Sequence, residues 1–241
     1  MSNIVTFERV AKFYMPPPEH GPVFWELNLT FPKNRIIGLL GENGAGKTTL
    51  LKMIANLTTP VIGMVRINGE PVSRKTRQWV SFMPQPQHLM GLAAVKHTIT
   101  YFRDFFPDFN MDKALALCVD FGLQLNDTIA RLSVGNQVRL CLLLTLSRRV
   151  PLYLLDDPFA MFDPVMKRQL VQTMLSMVEE GQTIIIATHM LRDLDGVLDE
   201  IVILHENGVI TANTDEIRQQ GKSIETFYME VKSRENADDD S

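Results

Sequence analysis

The chain has 241 residues, of which 45% are hydrophobic and 22% charged, enough apolar material for one sizeable core and ordinary for a globular protein in water. A net charge of −4 excludes the strong basic field that nucleic-acid binding draws on, so no nucleic acid is expected as a partner. No apolar run approaches the ~18 residues needed to span a bilayer, the N-terminus has no signal-peptide core, and the two cysteines, Cys118 and Cys141, stand in apolar stretches without metal-ligand spacing, as reduced core thiols of a cytosolic protein do.

In chain order, residues 3–10 and 23–31 alternate or cluster apolar residues as strands do, joined by a stiff proline-rich connection over 15–22. Residues 35–40 predict a buried strand and 46–56 a helix; 63–69 predict a short strand closed by the turn Asn68-Gly69, and 79–83 another strand, ended by Pro84. From 88 to 149 apolar residues recur at helical spacing, among them Ala114, Leu115, Leu117, Cys118 and Phe121. That pattern predicts a helical subdomain whose last helix runs from near Ser133 through Leu146. A buried strand at 152–155, a helix around 164–179, a buried strand at 183–187 and a strand at 201–204 follow, the last leading to a turn at 206–208; the acidic residues 236–241 read as a frayed tail. Short continuous apolar strands alternating with helices predict an α/β fold with a parallel sheet covered on both faces.

The motif richest in chemistry is Gly41, Glu42, Asn43, Gly44, Ala45, Gly46, Lys47, Thr48, Thr49, which spells G-x-x-x-x-G-K-T between a predicted strand and a predicted helix. In that context glycines let the backbone wrap an anion, and backbone N–H groups and the positive helix end face the phosphates. Lys47 reaches the β- and γ-phosphates of a nucleotide, and the Thr48 hydroxyl holds Mg²⁺. Further on, the strand at 152–155 ends in two carboxylates, Asp156 and Asp157, at the edge of a parallel sheet where ligands bind. Asp156 is placed to hold Mg²⁺ directly or through water, and Asp157 to orient or deprotonate an attacking water.

With these motifs in hand, the chain resembles the nucleotide-binding subunit of ABC transporters over nearly its whole length. Further ordered elements carry the resemblance: Gln85 at the position of the glutamine loop; Leu132, Ser133, Val134, Gly135, Asn136 at the position of the LSGGQ signature; Ala160, Met161, Phe162, Asp163, Pro164 as the loop beyond the magnesium strand; His189 as the switch histidine; and Tyr14 as the aromatic that stacks on adenine. The segments 101–109 and 223–230 resemble compact bacterial export-type members.

The resemblance implies a P-loop NTPase of ABC type. Its mostly parallel core sheet is flanked by helices, with a small antiparallel β-subdomain and a helical subdomain. The core would comprise 1–87 and 150–220, the helical subdomain 88–149 and a tail 221–241, in one ABC ATPase domain. It implies ATP and Mg²⁺ as ligands, the ion held by Thr48, Gln85 and Asp156, with Asp157, His189 and Gln85 acting in hydrolysis. It further implies a transmembrane permease as partner and a second ABC ATPase subunit, in a homodimer or heterodimer in which Ser133 and the Gly135 backbone touch the γ-phosphate held by the other subunit. The protein would then sit in the cytoplasm, peripheral on the inner face of the cell membrane through the permease. Two rival readings are a non-transport ABC ATPase and a regulatory subunit that binds ATP with little hydrolysis.

Four departures from the family pattern bear on rate. Asp157 stands where the family has Glu, which sets its oxygens back by roughly 1.5 Å. A displacement near 1 Å costs ~10²-fold in rate, so slowed hydrolysis is expected. Val134 replaces the first signature glycine and Asn136 its glutamine, with a β-branched side chain where close approach is needed. Ala160, Met161 and Phe162 replace smaller or different residues, and the proline-rich stretch after Tyr14 is longer than usual.

Overall fold

The computed structural model describes residues 2–14, 22–89, 94–189, 192, 194–205 and 208–239, with the side chains of 177 and 234–239 excepted. The proline-rich connection at 15–21 and residues 206–207 of the predicted turn lie outside the described residues.

The elements run β1 (Asn3–Lys12), β2 (Phe24–Pro32), β3 (Ile36–Leu40), α1 (Lys47–Ile54), β4 (Ile62–Ile67), β5 (Glu70–Pro71), β6 (Val80–Phe82), α2 (Val95–Phe105), α3 (Met111–Asp120), α4 (Val134–Leu146), β7 (Leu152–Asp156), α5 (Pro164–Met177), β8 (Thr183–Ala187), β9 (Glu200–His205), β10 (Gly208–Asn213), α6 (Thr214–Gln219) and α7 (Ile224–Asp239). They form two sheets, one of four strands ordered β2-β1-β4-β5 and one of six ordered β10-β9-β3-β8-β7-β6. The first is antiparallel throughout. In the second every pairing is parallel except that of the edge strand β10.

The parallel strands are apolar at consecutive positions because each buries both faces. Along β8, Ile184 and Ile186 join one core, with α3, α4 and α5, whereas Ile185 and Ala187 join the other, with α1 and the antiparallel sheet. Period-two alternation of side chains therefore divides one strand between two cores. Both cysteines are buried in the first core, where loss of water pushes the Cys141 thiol up to about 12, as expected of an inert thiol.

Three elements after residue 207 were not expected from the sequence: β10, α6 and α7. The last continues to Asp239, through most of the segment that reads as a frayed tail. Its apolar residues Ile224, Phe227, Tyr228 and Val231 lie at i, i+3, i+4 and i+7 and pack on the first core, a stripe that fixes the helix in place although its acidic end has weak propensity. No helix among the described residues is long and apolar enough to cross a membrane.

Candidate active site

Because β3, β8 and β7 are neighbours in one parallel sheet, their C-terminal ends lie side by side, with Leu39 opposite Ala187 and Ala187 opposite Asp156. The chain leaving each strand stays hydrogen-bonded to its neighbour: Thr188 N donates to Leu39 O at 3.1 Å, and Asp157 N to Ala187 O at 2.8 Å. Adjacency in the sheet, not in sequence, gathers the phosphate loop, the paired carboxylates and His189 at one edge.

The phosphate loop enters α1 through Gly46, whose φ is +95°. A Cβ there would stand 2.5 Å from Phe24 Cζ and 2.8 Å from Val23 Cγ1, so both the conformation and the space require glycine. No side chain caps α1, which leaves its first amides to an anion. The Lys47 ammonium lies across the loop, donating to Gly41 O at 2.7 Å and Glu42 O at 2.8 Å. Burial lowers its pKa, against the pull of Asp157, Asp156 and Glu42.

Thr48 Oγ1 donates to Asp156 Oδ2 at 2.8 Å. Thus the two ends of the predicted magnesium site, 108 residues apart in sequence, touch. Burial raises the Asp156 pKa; the Thr48 hydrogen bond lowers it and the Asp157 charge raises it further. The described residues hold no cluster of three His, Cys, Asp or Glu side chains suited to a metal. A hydroxyl and one carboxylate beside a phosphate cradle are instead the donor set of an ion that keeps waters and shares a phosphate ligand, which fits Mg²⁺. The glycine cradle and the uncapped helix fit the polyphosphate of ATP.

Asp157 takes a left-handed conformation, φ +49°, one that Asp adopts more readily than most residues. It turns the short carboxylate back toward β8, with Oδ2 3.1 Å from His189 Nδ1 and Oδ1 3.5 Å from Thr188 Oγ1. The lost methylene is legible in the sequence; the positive φ, which sets where the carboxylate points, has no sequence signature beyond Asp itself.

Tyr14 is joined to this group by a 3.1 Å hydrogen bond between its hydroxyl and that of Thr49, with the Lys12 ammonium 4.9 Å from the ring centre. Gln85 is not: its side-chain oxygen accepts from Gln87 at 2.6 Å, and its partner is therefore not the Thr48–Asp156 pair. Ser133 and Gly135 form a separate turn at the start of α4. Ser133 Oγ accepts from Asn136 N at 3.2 Å and caps the helix. Behind it the Phe162 ring packs on Gly135, where a Cβ would stand 3.3 Å from the ring edge. Arg139 stands over that ring and donates to Asn136 Oδ1. Val134 is 55% exposed, so its branched side chain lies on the outer surface of the turn. Asp163 caps α5, accepting from Val165 N and Met166 N.

Two contributors were missed. Lys232 of α7 pairs with Glu42 of the phosphate loop, and Tyr228 with Lys232 walls a cavity of about 440 Å³ against Gly41, Asn43, Thr188 and His189. The stripe at 224, 227, 228 and 231 was the available signal.

With the geometry established, comparison with known proteins places the chain. The sequence profile of the ABC transporter family matches residues 24–160, more than half of the chain. The ABC transporter ATP-binding protein YtrB of Bacillus subtilis is 29% identical over 86% of this chain and 72% of its own length. The lipopolysaccharide export system ATP-binding protein LptB of Haemophilus influenzae is 26% identical over 94% of this chain and 97% of its own. The nucleoside import ATP-binding protein NupA of Lactococcus lactis is 30% identical over 87% of this chain, which spans only 41% of that protein. A solved ATP-binding subunit of an ABC transporter shares the fold, with a TM-score of 0.82 at 23% identity over 95% of this chain and 99% of that one. The chain belongs to the ABC transporter family, as an ATP-binding subunit.

Proposed function

We propose that this chain binds ATP with Mg²⁺ at the phosphate loop, hydrolyses it, and thereby powers export through a transmembrane permease. The observation that carries the proposal is the 2.8 Å contact between Thr48 and Asp156 beside Lys47 and the uncapped start of α1. ATP supplies the phosphoanhydride to be cleaved, and Mg²⁺ neutralises phosphate charge. Gly41, Asn43, Gly44, Ala45, Gly46, Lys47 and Thr49 hold the phosphates. Tyr14 offers a ring face to the base, a contact worth ~1–3 kcal/mol. Asp157 orients the attacking water, His189 fixes Asp157 from the other side, and Gln85 joins the ion when the helical subdomain moves toward the core.

Ser133 and Gly135 serve a second subunit in this reading. Neither has a hydrogen bond to the phosphate loop of its own chain among the described contacts, and both lie on a turn whose Val134 faces outward. Support for a permease comes from α2, where Tyr101 and Phe105 are 53% and 64% exposed and stack at 6.0 Å, an apolar surface of the kind that marks an interaction site. The export direction rests on the resemblance of 101–109 and 223–230 to export-type members; relatives named for import and for export both match the chain. A place on the inner face of the cell membrane follows from the permease.

The regulatory reading, ATP binding with little hydrolysis, is favoured by one observation: Asp157, one methylene short, is already engaged by His189 at 3.1 Å. Steady-state hydrolysis by the full chain decides, with Lys47→Ala as blank and Asp157→Glu beside it. The expected result is Mg²⁺- and Lys47-dependent turnover in the natural chain, with faster turnover in Asp157→Glu. Turnover confined to Asp157→Glu would replace the proposal with the regulatory reading.

A further inference from the structure

Helix α7 is fastened along one face to two loops of the nucleotide site. At its start, Arg192 Nε donates to Glu225 Oε2 at 2.6 Å, and Ile224 N lies 3.5 Å from Asp195 Oδ1. Arg192 and Asp195 belong to the segment that follows His189. Seven residues on, Lys232 pairs with Glu42, the second residue of the phosphate loop. Positions 225 and 232 lie two turns apart on one face, ~10 Å along the axis. Between them Tyr228 faces the cavity shared with His189 and Gly41. The adjoining side of the helix is buried: Ile224 and Val231 sit in the core, with Phe227 and Tyr228 packed against it. The ion pairs therefore act on a helix already held in place by apolar contact, and the loops are what they restrain.

We infer that Lys232 is a positioning residue for ATP binding: α7 is a strut that fixes the phosphate loop relative to the loop carrying His189, and the Lys232–Glu42 pair is its phosphate-loop end. The inference rests on the reading of this edge as the ATP site. Glu42 is where such a restraint acts most directly, since its carbonyl already accepts from Lys47. Fixing the Glu42 side chain from α7 fixes the backbone that Lys47 must leave when it turns to a phosphate. The Lys232 ammonium also lowers the Glu42 pKa, chiefly through the hydrogen bond between them.

The test is an ATP titration of the full chain with Mg²⁺, following both equilibrium binding and steady-state turnover, in Lys232→Ala, Lys232→Arg, Glu42→Gln and the Lys232→Ala/Glu42→Gln double variant. A partly exposed ion pair contributes about a threefold change. Lys232→Ala and Glu42→Gln are each expected to raise the ATP Kd and KM about threefold, with kcat altered less than twofold. The double variant should be no worse than either, Lys232→Arg should restore wild-type values, and the losses should shrink in high salt, which screens the pair. Wild-type KM in Lys232→Ala would overturn the strut. So would wild-type KM in Glu42→Gln beside a raised KM in Lys232→Ala, which would reduce Lys232 to a charge that shields Glu42. Lys47→Ala separates the two levels: if it binds ATP as the natural chain does, the ATP site itself is misplaced. If it loses ATP while Lys232→Ala does not, the strut alone falls.

Discussion

Two helices of this chain begin on turns that the sequence marks for phosphate contact, and they begin in opposite ways. Helix α1 follows a left-handed Gly46 and has no side-chain cap; α4 follows Ser133, whose hydroxyl accepts from Asn136 N. A cap is worth ~1 kcal/mol, so α1 forgoes stability that α4 keeps. Around α1 stand Lys47, Asp156 and the Asp157–His189 pair, each tied to its neighbours within the chain. Around α4 stand an exposed Val134 and, behind Gly135, the Phe162 ring. The difference teaches how the work is divided. The start of α1 is a site built by one chain and left open for an anion. The start of α4 is satisfied on its own and offers an outward face, the one that the proposed function assigns to a second subunit's nucleotide.

The most direct way to break this comparison is Lys47→Ala. Removing a charged donor aimed at the transferred group costs ~10²–10³-fold in turnover, and a steady-state assay that finds less than tenfold would deny α1 its assigned role. The two turns should then separate by glycine. Gly46→Ala meets Phe24 at 2.5 Å in a conformation that disfavours a side chain, and is expected to cost ~2–4 kcal/mol in urea unfolding. Gly135→Ala meets only the edge of Phe162 at 3.3 Å. It also gains helix propensity of ~1 kcal/mol, so its stability should stay within ~1 kcal/mol of the natural chain while ATP-driven dimerisation, read by light scattering, is weakened. A Gly135→Ala chain that unfolds as readily as Gly46→Ala would erase the distinction.

The open site was legible in sequence for a physical reason. Its chemistry is compressed into contiguous residues, because a loop that wraps an anion must be local, and Gly41–Thr49 is one unbroken stretch of chain that ends in the first turn of α1. The apolar runs of β3, β7 and β8 were legible too, since burial on both faces leaves no polar positions to blur them. What could not be read was anything set by one backbone angle or by the last helix. The left-handed Asp157, which aims its carboxylate at His189, is a property of the turn and not of the residue type. The pairing of Gln85 with Gln87, two residues on, is a local side-chain contact that residue types alone do not mark. Helix α7 was obscured by its polar, acidic end, although the stripe from Ile224 to Val231 carried a helical period.

At smaller effect, Ser133→Ala removes the α4 cap. It is expected to cost ~1 kcal/mol of stability, a value that calorimetry on the full chain can resolve. No equivalent loss can be produced at α1 by deleting a cap, because none exists there. If Ser133→Ala left stability untouched, the claim that α4 is self-satisfied would fail, and the two turns would be alike.

The smallest effect is a gain, and it sharpens the comparison from the other side. Asp156 has a raised pKa, mainly through burial, so the folded chain binds this proton more tightly than the unfolded one. The stability that this group contributes is present in full below the unfolded pKa near 3.8 and is lost as pH rises through the higher folded value. At neutral pH the Asp156 carboxylate is therefore a net cost. Asn in its place can still accept from Thr48 and carries no charge. Because Asp156 retains some solvent, the gain is modest: Asp156→Asn should melt ~1–2 °C higher at pH 7 in the absence of nucleotide. That advantage should fade as the pH falls toward 4, where the carboxylate takes up its proton. Lys47 carries the mirror-image cost, its pKa lowered by burial. The two groups that the proposed function assigns to ATP and Mg²⁺ are thus the two that the folded chain would be more stable without. An Asp156→Asn chain that melts lower than the natural one at pH 7 would show that the carboxylate supports the fold, and would leave the uncapped α1 and the buried Lys47 as the stability forgone at this site.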